Sequence, residues 1–186
     1  AKRLADYANQ SGSAYTETQI SDWIEALNNF QKQGVIVWAT SNDNTNTMST
    51  VWGAETNKSD ISSSLPILFN ELSEAWITVA NVATYSDGSK LLYSGPCSSN
   101  AEYCVVHDGL RITAGTDVYN YGGGVYSSFI SSKTGTSMAA PQISGAIALL
   151  TQAFPDNSPE LIAKRLLYTS DNSWFNNQNC FRDNNG

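Results

Sequence analysis

The chain reads as an α/β protein with a mainly parallel sheet flanked by helices. Three features say so. An amphipathic helix runs straight into a short apolar strand. That strand shows no polar alternation. A later helix is apolar on most of its faces. Helices alternating with strands buried on both faces are the pattern of a parallel sheet covered by helices.

The elements follow in order. After the turn signal Gln10-Ser11-Gly12-Ser13, the apolar residues Ile20, Trp23, Ile24, Leu27 and Phe30 recur at helical spacing, which predicts a helix over Glu17 to Lys32. Gly34 ends it. Val35-Ile36-Val37-Trp38-Ala39 is then a β-branched apolar run, predicted as a strand buried on both faces, and Thr40 to Asn46 is a polar loop. Met48 to Ser64 is polar and rich in turn formers, and no element is placed there. Trp76 to Ala83 predicts a second strand. A turn at Tyr85 to Lys90 leads to a short segment, Leu91-Leu92-Tyr93. Tyr103 to Val106 is another short strand, Gly109 to Thr116 an edge-like segment, and Tyr121-Gly122-Gly123-Gly124 a flexible one. The strongest helix is Ser137 to about Phe154. The last opens at Ser158-Pro159-Glu160, with Ser as N-cap, Pro at the first helical position and Glu in the first turn. The tail from Asp171 to Gly186 is rich in Asn and Asp.

Composition excludes several functional classes. The chain has 186 residues, 41% of them hydrophobic and 15% charged, enough apolar content for a core. Ten basic against 17 acidic residues give a net charge of −7, with no basic stripe, which argues against a nucleic-acid partner. No apolar run reaches the ~18 residues of a membrane span. Of the three cysteines, Cys97 and Cys104 are seven positions apart around a polar loop, and no zinc-ligand pattern completes them. A local disulfide, implying an oxidising compartment, is the preferred reading over two reduced, half-buried thiols; Cys180 is left over.

One segment carries chemistry: Gly135-Thr136-Ser137-Met138-Ala139-Ala140-Pro141. A Gly-bearing turn delivers a Ser hydroxyl to the start of a buried helix, where free N–H groups and the positive dipole end can stabilise an oxyanion. The commoner role of a Ser at such a place is plain N-capping. The segment, followed by Ile143-Ser144-Gly145-Ala146-Ile147-Ala148-Leu149-Leu150, resembles the nucleophile motif of the subtilisin-like serine proteases. Val35 to Asp43 resembles the family strand that ends in Ala-x-Gly-Asn, with Ser41 in place of the usual Gly. Trp76 to Ala83 resembles the next family strand. Cys104 to Ile112 resembles the Ala-Pro-Gly segment, with His107-Asp108 replacing Ala-Pro, and Phe154-Pro155 with the Ser158 helix matches the C-terminal end. Spacing and the Cys97/Cys104 pair look most like the secreted bacterial branch, including autotransporter passengers.

The resemblance implies part of a three-layer subtilisin-like fold: residues 1–186 as the C-terminal portion of a catalytic domain, secreted or at the bacterial cell surface and acting on polypeptides. It implies Ser137 as nucleophile and Asn42 as oxyanion donor. Ala39, Thr40 and Ser41 would line the substrate side-chain pocket, and Gly135 and Thr136 would shape the nucleophile turn. The family's Asp and His-Gly-Thr motifs do not occur here. They are expected upstream, in a missing N-terminal part of the same domain, and without them the chain alone is expected to be inactive. No cofactor is required. Calcium fits the family, and Asp43, Asn44 and Asn46, or Asp171, Asn172 and Asp183, offer oxygen ligands, but no EF-hand pattern assigns a metal site. Two alternatives stand beside this reading. One is a catalytically inactive, peptide-binding relative. The other is a sedolisin-type acid protease, which places an Asp where subtilases place the oxyanion Asn; Met138-Ala139-Ala140-Pro141 favours the subtilase.

His107, the only histidine, is read as a loop residue and not as the base, because Asp108 adjoins it in sequence and cannot easily orient its far nitrogen. A fluorophosphonate probe applied to the intact protein should label Ser137 equally well in His107→Ala. Loss of labelling in that variant would make His107 the base.

Overall fold

A computed structural model describes residues 1–10, 12, 14–42, 61–119 and 126–171. Two helices, α1 (Lys2–Gln10) and α2 (Glu17–Gln31), precede strand β1 (Ile36–Ala39). A short helix α3 (Leu65–Leu68) and a 3₁₀ turn (Asn70–Leu72) lead into β2 (Trp76–Thr84) and β3 (Lys90–Leu92). A second 3₁₀ turn (Ser98–Tyr103) leads into β4 (Cys104–Asp108). A hairpin, β5 (Ile112–Tyr119) and β6 (Tyr126–Lys133), is followed by helices α4 (Thr136–Ala153) and α5 (Pro159–Thr169).

Strand β2 organises the sheet. It pairs in parallel with β1 through Ile36↔Trp76 to Ala39↔Val79 and with β4 through Thr78↔Cys104 to Val82↔Asp108. Thr78 and Val79 pair with both strands, so β1 and β4 lie on opposite edges of β2. The short β3 runs antiparallel against Val82–Thr84, beyond the end of β1. The sequence of β2 is almost continuously apolar because every residue from Trp76 to Ala83 is buried.

Alternation along β2 splits the core into two layers. Trp76 packs with Leu4, Ala5, Ile20, Ile24, Ile36, Ile61, Leu65 and Leu72 under α1, α2 and α3. Ile77 and Val79 pack with Val105, Ala139, Ile143, Ile147, Ile162 and Ala163 under α4 and α5. Helices therefore cover both faces of a mainly parallel sheet. Trp76 stacks on Trp38, their ring centroids 5.3 Å apart.

Several expectations shift in detail. The α2 stripe is only partly buried: Ile20 and Ile24 are inside, while Trp23 and Phe30 are 36% and 53% exposed. Strand β1 has only Ile36 buried, its other residues being half-buried, because among the described residues it pairs with β2 alone. The edge-like segment after Gly109 is the first arm of the β5–β6 hairpin, paired from Ile112↔Lys133 to Tyr119↔Tyr126. Helices α1 and α3 arise where no element was expected. The Gly122 region, Asp43 to Asn46 and the Asn/Asp-rich tail beyond Asp171 lie outside the described residues.

Buried polar groups tie the layers together. Gln31, 3% exposed, accepts from Ala75 N–H at 2.8 Å and donates to Glu71 C=O at 3.0 Å, joining the end of α2 to the start of β2. Asn100 donates to Ser63 C=O at 2.9 Å and to Thr78 Oγ1 at 2.6 Å. Cys97 and Cys104 are disulfide-bonded across the 3₁₀ turn, their Cα atoms 6.0 Å apart.

Among the described residues β1 pairs on one side only, and an open parallel edge of this kind invites association. Expressed alone, the 186-residue chain should associate or precipitate, as size-exclusion chromatography with light scattering would report. A monomer that unfolds in one sharp, reversible transition would contradict this.

Candidate active site

The C-terminal end of β1 meets the N-terminal end of α4. The chain leaves β1 through Thr40, whose N–H continues the ladder to Val79 C=O at 2.9 Å, and reaches Asn42 two residues later. Helix α4 begins at Thr136, with Gly135 as its N-cap. Thr136 N–H donates to Asn42 Oδ1 at 2.9 Å. The Thr136 hydroxyl lies 2.8 Å from Thr40 C=O and 3.1 Å from Asn42 Oδ1. Thr136 is buried at 1% exposure; its bond to Thr40 runs through the interior, and its bonds to Asn42 are partly buried.

These contacts fix the orientation of the Asn42 amide. A backbone N–H can only donate, so the atom facing it must be the side-chain oxygen. The NH₂ group is therefore on the other edge of the amide, and no described residue accepts from it. Asn42 is exposed, so its two donors can meet an incoming group.

Ser137 is the second helical residue of α4 and is exposed. It is not the N-cap. That position belongs to Gly135, whose C=O accepts from Met138 N–H at 3.0 Å and Ala139 N–H at 3.3 Å. The Ser137 N–H has no acceptor among the described residues. A helix start with a free N–H carries the positive end of the helix dipole, a setting suited to developing negative charge. Asn42 and Ser137 thus both adjoin Thr136 at the start of α4, and both are exposed.

Two glycines make this approach possible. Gly135 has φ +153°, and a Cβ there would sit 2.9 Å from Asn42 Oδ1. At Gly109 a Cβ would meet Gly135 C=O at 2.5 Å, Asn81 Oδ1 at 2.7 Å and Ala139 N at 3.1 Å. Gly109 C=O accepts from Gly135 N–H at 3.1 Å, and Gly109 N–H donates to Asn81 Oδ1 at 2.7 Å. Asp108 holds this turn from below: Oδ2 accepts from Thr84 N–H at 2.9 Å and Oδ1 from Leu110 N–H at 2.8 Å. Gln142 on α4 donates to Asp108 C=O at 2.9 Å.

Of the residues singled out from sequence, Asn42, Thr40, Gly135, Thr136 and Ser137 converge here. Ala39 and Ser41 flank Thr40 and are half-buried, whereas Thr40 itself is 4% exposed, its hydroxyl 3.4 Å from Gly95 C=O. Its side chain therefore faces the interior and not an open pocket. His107 sits on β4 with Nδ1 3.2 Å from Asp108 C=O, and no hydrogen bond links it to Ser137 among the described residues. Sequence reasoning missed Asn81, Ser94 and Gly95. The one available signal was Asn81 itself, an amide inside an otherwise apolar strand run. Among the described residues no three His, Cys, Asp or Glu side chains cluster; of the calcium-ligand candidates, Asp43, Asn44, Asn46, Asn172 and Asp183 lie outside those residues. No described helix is long and apolar enough to cross a membrane.

Gly135→Ala should cost about 1–3 kcal/mol, since alanine resists this backbone conformation, and should push the Asn42 amide off Thr136. Chemical denaturation and a structure of the variant would check both effects. An unchanged stability with Asn42 in place would contradict them.

Comparison with known proteins gives a consistent result. The subtilase family model matches residues 4–184. An extracellular serine protease of Serratia marcescens is 34% identical over 114 residues, covering 54% of this chain and 11% of that protein. The crystal structure of fervidolysin from Fervidobacterium pennivorans, a keratinolytic enzyme related to subtilisin, superposes with a TM-score of 0.58 at 22% identity. That match covers 88% of this chain and 22% of fervidolysin, so the chain spans about a tenth and about a fifth of these two proteins. The helix-covered parallel sheet is the subtilisin-like fold, and the chain belongs to the subtilase family.

Proposed function

We propose that this chain carries the nucleophile and oxyanion half of a serine endopeptidase. Ser137 Oγ attacks the scissile carbonyl carbon and gives its proton to an imidazole base. Asn42 Nδ2 and the Ser137 N–H receive the oxyanion. Collapse breaks the C–N bond, the departing amine takes the proton, and water then hydrolyses the ester on Ser137. Gly135 and Thr136 hold the turn. Ala39 and Ser41 line the substrate side-chain pocket, and Thr40 contributes to it through its backbone. The route requires no cofactor.

The observation that carries this reading is the bond from Thr136 N–H to Asn42 Oδ1, 2.9 Å long. It commits the amide oxygen to the helix start and leaves the NH₂ group without an acceptor among the described residues, which supports a role as an oxyanion donor next to Ser137. The same contact favours the subtilase reading over the sedolisin one, because Asn42 and not an Asp occupies the place next to the nucleophile turn. The disulfide and the extracellular relative support a secreted protein acting on polypeptides.

The base and the acid that orients it come from outside residues 1–186. The chain contains one His, and that residue lies on β4 with no hydrogen bond to Ser137 among the described residues. An unassisted Ser hydroxyl is a weak nucleophile, so this chain by itself binds peptide without turning it over.

In the intact protein, Ser137→Ala should lower kcat by roughly 10⁶, the loss known for subtilisin itself. Asn42→Leu should lower it by about 10²–10³, also a subtilisin magnitude, with KM little changed. Absence of turnover and of fluorophosphonate labelling in the wild type would leave a peptide-binding protein. Activity confined to acid pH would favour the sedolisin alternative.

A further inference from the structure

We propose that Asn81 is a positioning residue that locks the two halves of the oxyanion site to each other; the proposal rests on the peptidase reading above. Asn81 is fully buried at the centre of β2. Its side chain and its backbone serve different halves of the site. Through Oδ1 it accepts from Gly109 N–H at 2.7 Å, and Gly109 C=O in turn accepts from Gly135 N–H at 3.1 Å, next to Thr136 and Ser137. Through its backbone it holds the segment after β3: Asn81 C=O accepts from Tyr93 N–H at 2.9 Å, and Asn81 N–H donates to Ser94 Oγ at 3.0 Å. The next residue, Gly95, donates its N–H to Ser41 C=O at 2.8 Å, and its C=O lies 3.4 Å from the Thr40 hydroxyl. Asn42 follows directly. One residue therefore braces the nucleophile turn on one side and the oxyanion amide on the other.

The choice of residue supports the assignment. Every neighbour of Asn81 along β2 from Val79 to Ala83 is apolar, and a Val or Leu would suit such a strand. Asn81 also leaves its buried Nδ2 without a hydrogen-bond partner among the described residues. A buried, unmatched donor lowers stability, and the position keeps it in exchange for the acceptor oxygen aimed at Gly109. Gly109 has no alternative residue, since any Cβ would strike Asn81 Oδ1 and Gly135 C=O. The contact is therefore between a side-chain oxygen and bare backbone, a rigid join. A shift of ~1 Å between nucleophile and oxyanion donor can cost 10²-fold in rate, so rigidity here bears on kcat.

The test uses the intact protein. Asn81→Leu removes the acceptor and keeps the branching at Cγ. It should lower kcat and the rate of fluorophosphonate labelling of Ser137 by roughly 10–100-fold, with KM for a peptide substrate within about twofold. Asn81→Asp restores an acceptor oxygen and should recover most of the labelling rate. If Asn81→Leu fails to fold, Ser94→Ala, which removes the Asn81 N–H acceptor together with the hydroxyl's own bond to Gly95 C=O, should lower the labelling rate with KM unchanged. Amide hydrogen exchange gives a readout independent of activity: peptides spanning Gly109 and Gly135 should lose protection in Asn81→Leu. A folded Asn81→Leu protein with wild-type kcat and labelling overturns the proposal, as does unchanged exchange at Gly109 and Gly135. If the wild type is neither active nor labelled, the peptidase reading fails, and the exchange comparison alone decides whether Asn81 couples the two segments.

Discussion

The site depends on a backbone donor meeting a side-chain oxygen across 94 residues of sequence. Thr136 N–H, one of the unpaired donors at a helix start, finds its acceptor in Asn42 at the end of a distant strand. One bond satisfies a buried helix terminus and orients an exposed amide. Without it the first turn of α4 would hold a buried, unmatched N–H, and the amide would be free to flip. The Thr136 hydroxyl adds a bond to Thr40 C=O, so helix and strand ends are joined at two points.

The rest of the fold makes that meeting possible. Strand β2 is buried along nearly its whole length and sets the height of both β1 and β4 by parallel pairing. Helix α4 packs Ala139, Ile143 and Ile147 onto the face of the sheet carrying Ile77 and Val79. The small Ala139 lets the helix start come close to the strand ends, where Gly109 and Gly135 touch with no room for a side chain. Close packing of this kind is unforgiving of even one added methyl group.

Legibility from sequence varied with how local each cause was. Helix α2 was readable from its 3.6-residue stripe. Its start is also written locally, in the reciprocal bonds between Thr16 and Gln19, a capping box whose pattern is visible in the chain. Strand β2 was readable from its largely apolar run. The β5–β6 hairpin was not, because its arms are polar and its pairing is specified by partner and not by periodicity. The roles of Gln31 and Asn100 were invisible for a related reason: each amide looks like a surface residue until its buried partners are known. Ser63 and Ser64, in a stretch that reads as a polar loop, are buried beneath α3 and β2.

The sequence by itself determined the class, the main helices, the central strand and the motif Gly135-Thr136-Ser137 with its small-residue helix, because these depend on periodicity, residue size and local backbone geometry. It also marked Asn42 through resemblance. Only the tertiary structure decided that Gly135 and not Ser137 caps the helix, that Thr40 turns inward, and that Asn42 gives its side-chain oxygen to Thr136 N–H. Those outcomes rest on hydrogen bonds between segments tens of residues apart. A buried donor must find an acceptor, and which acceptor it finds is settled by how the layers pack.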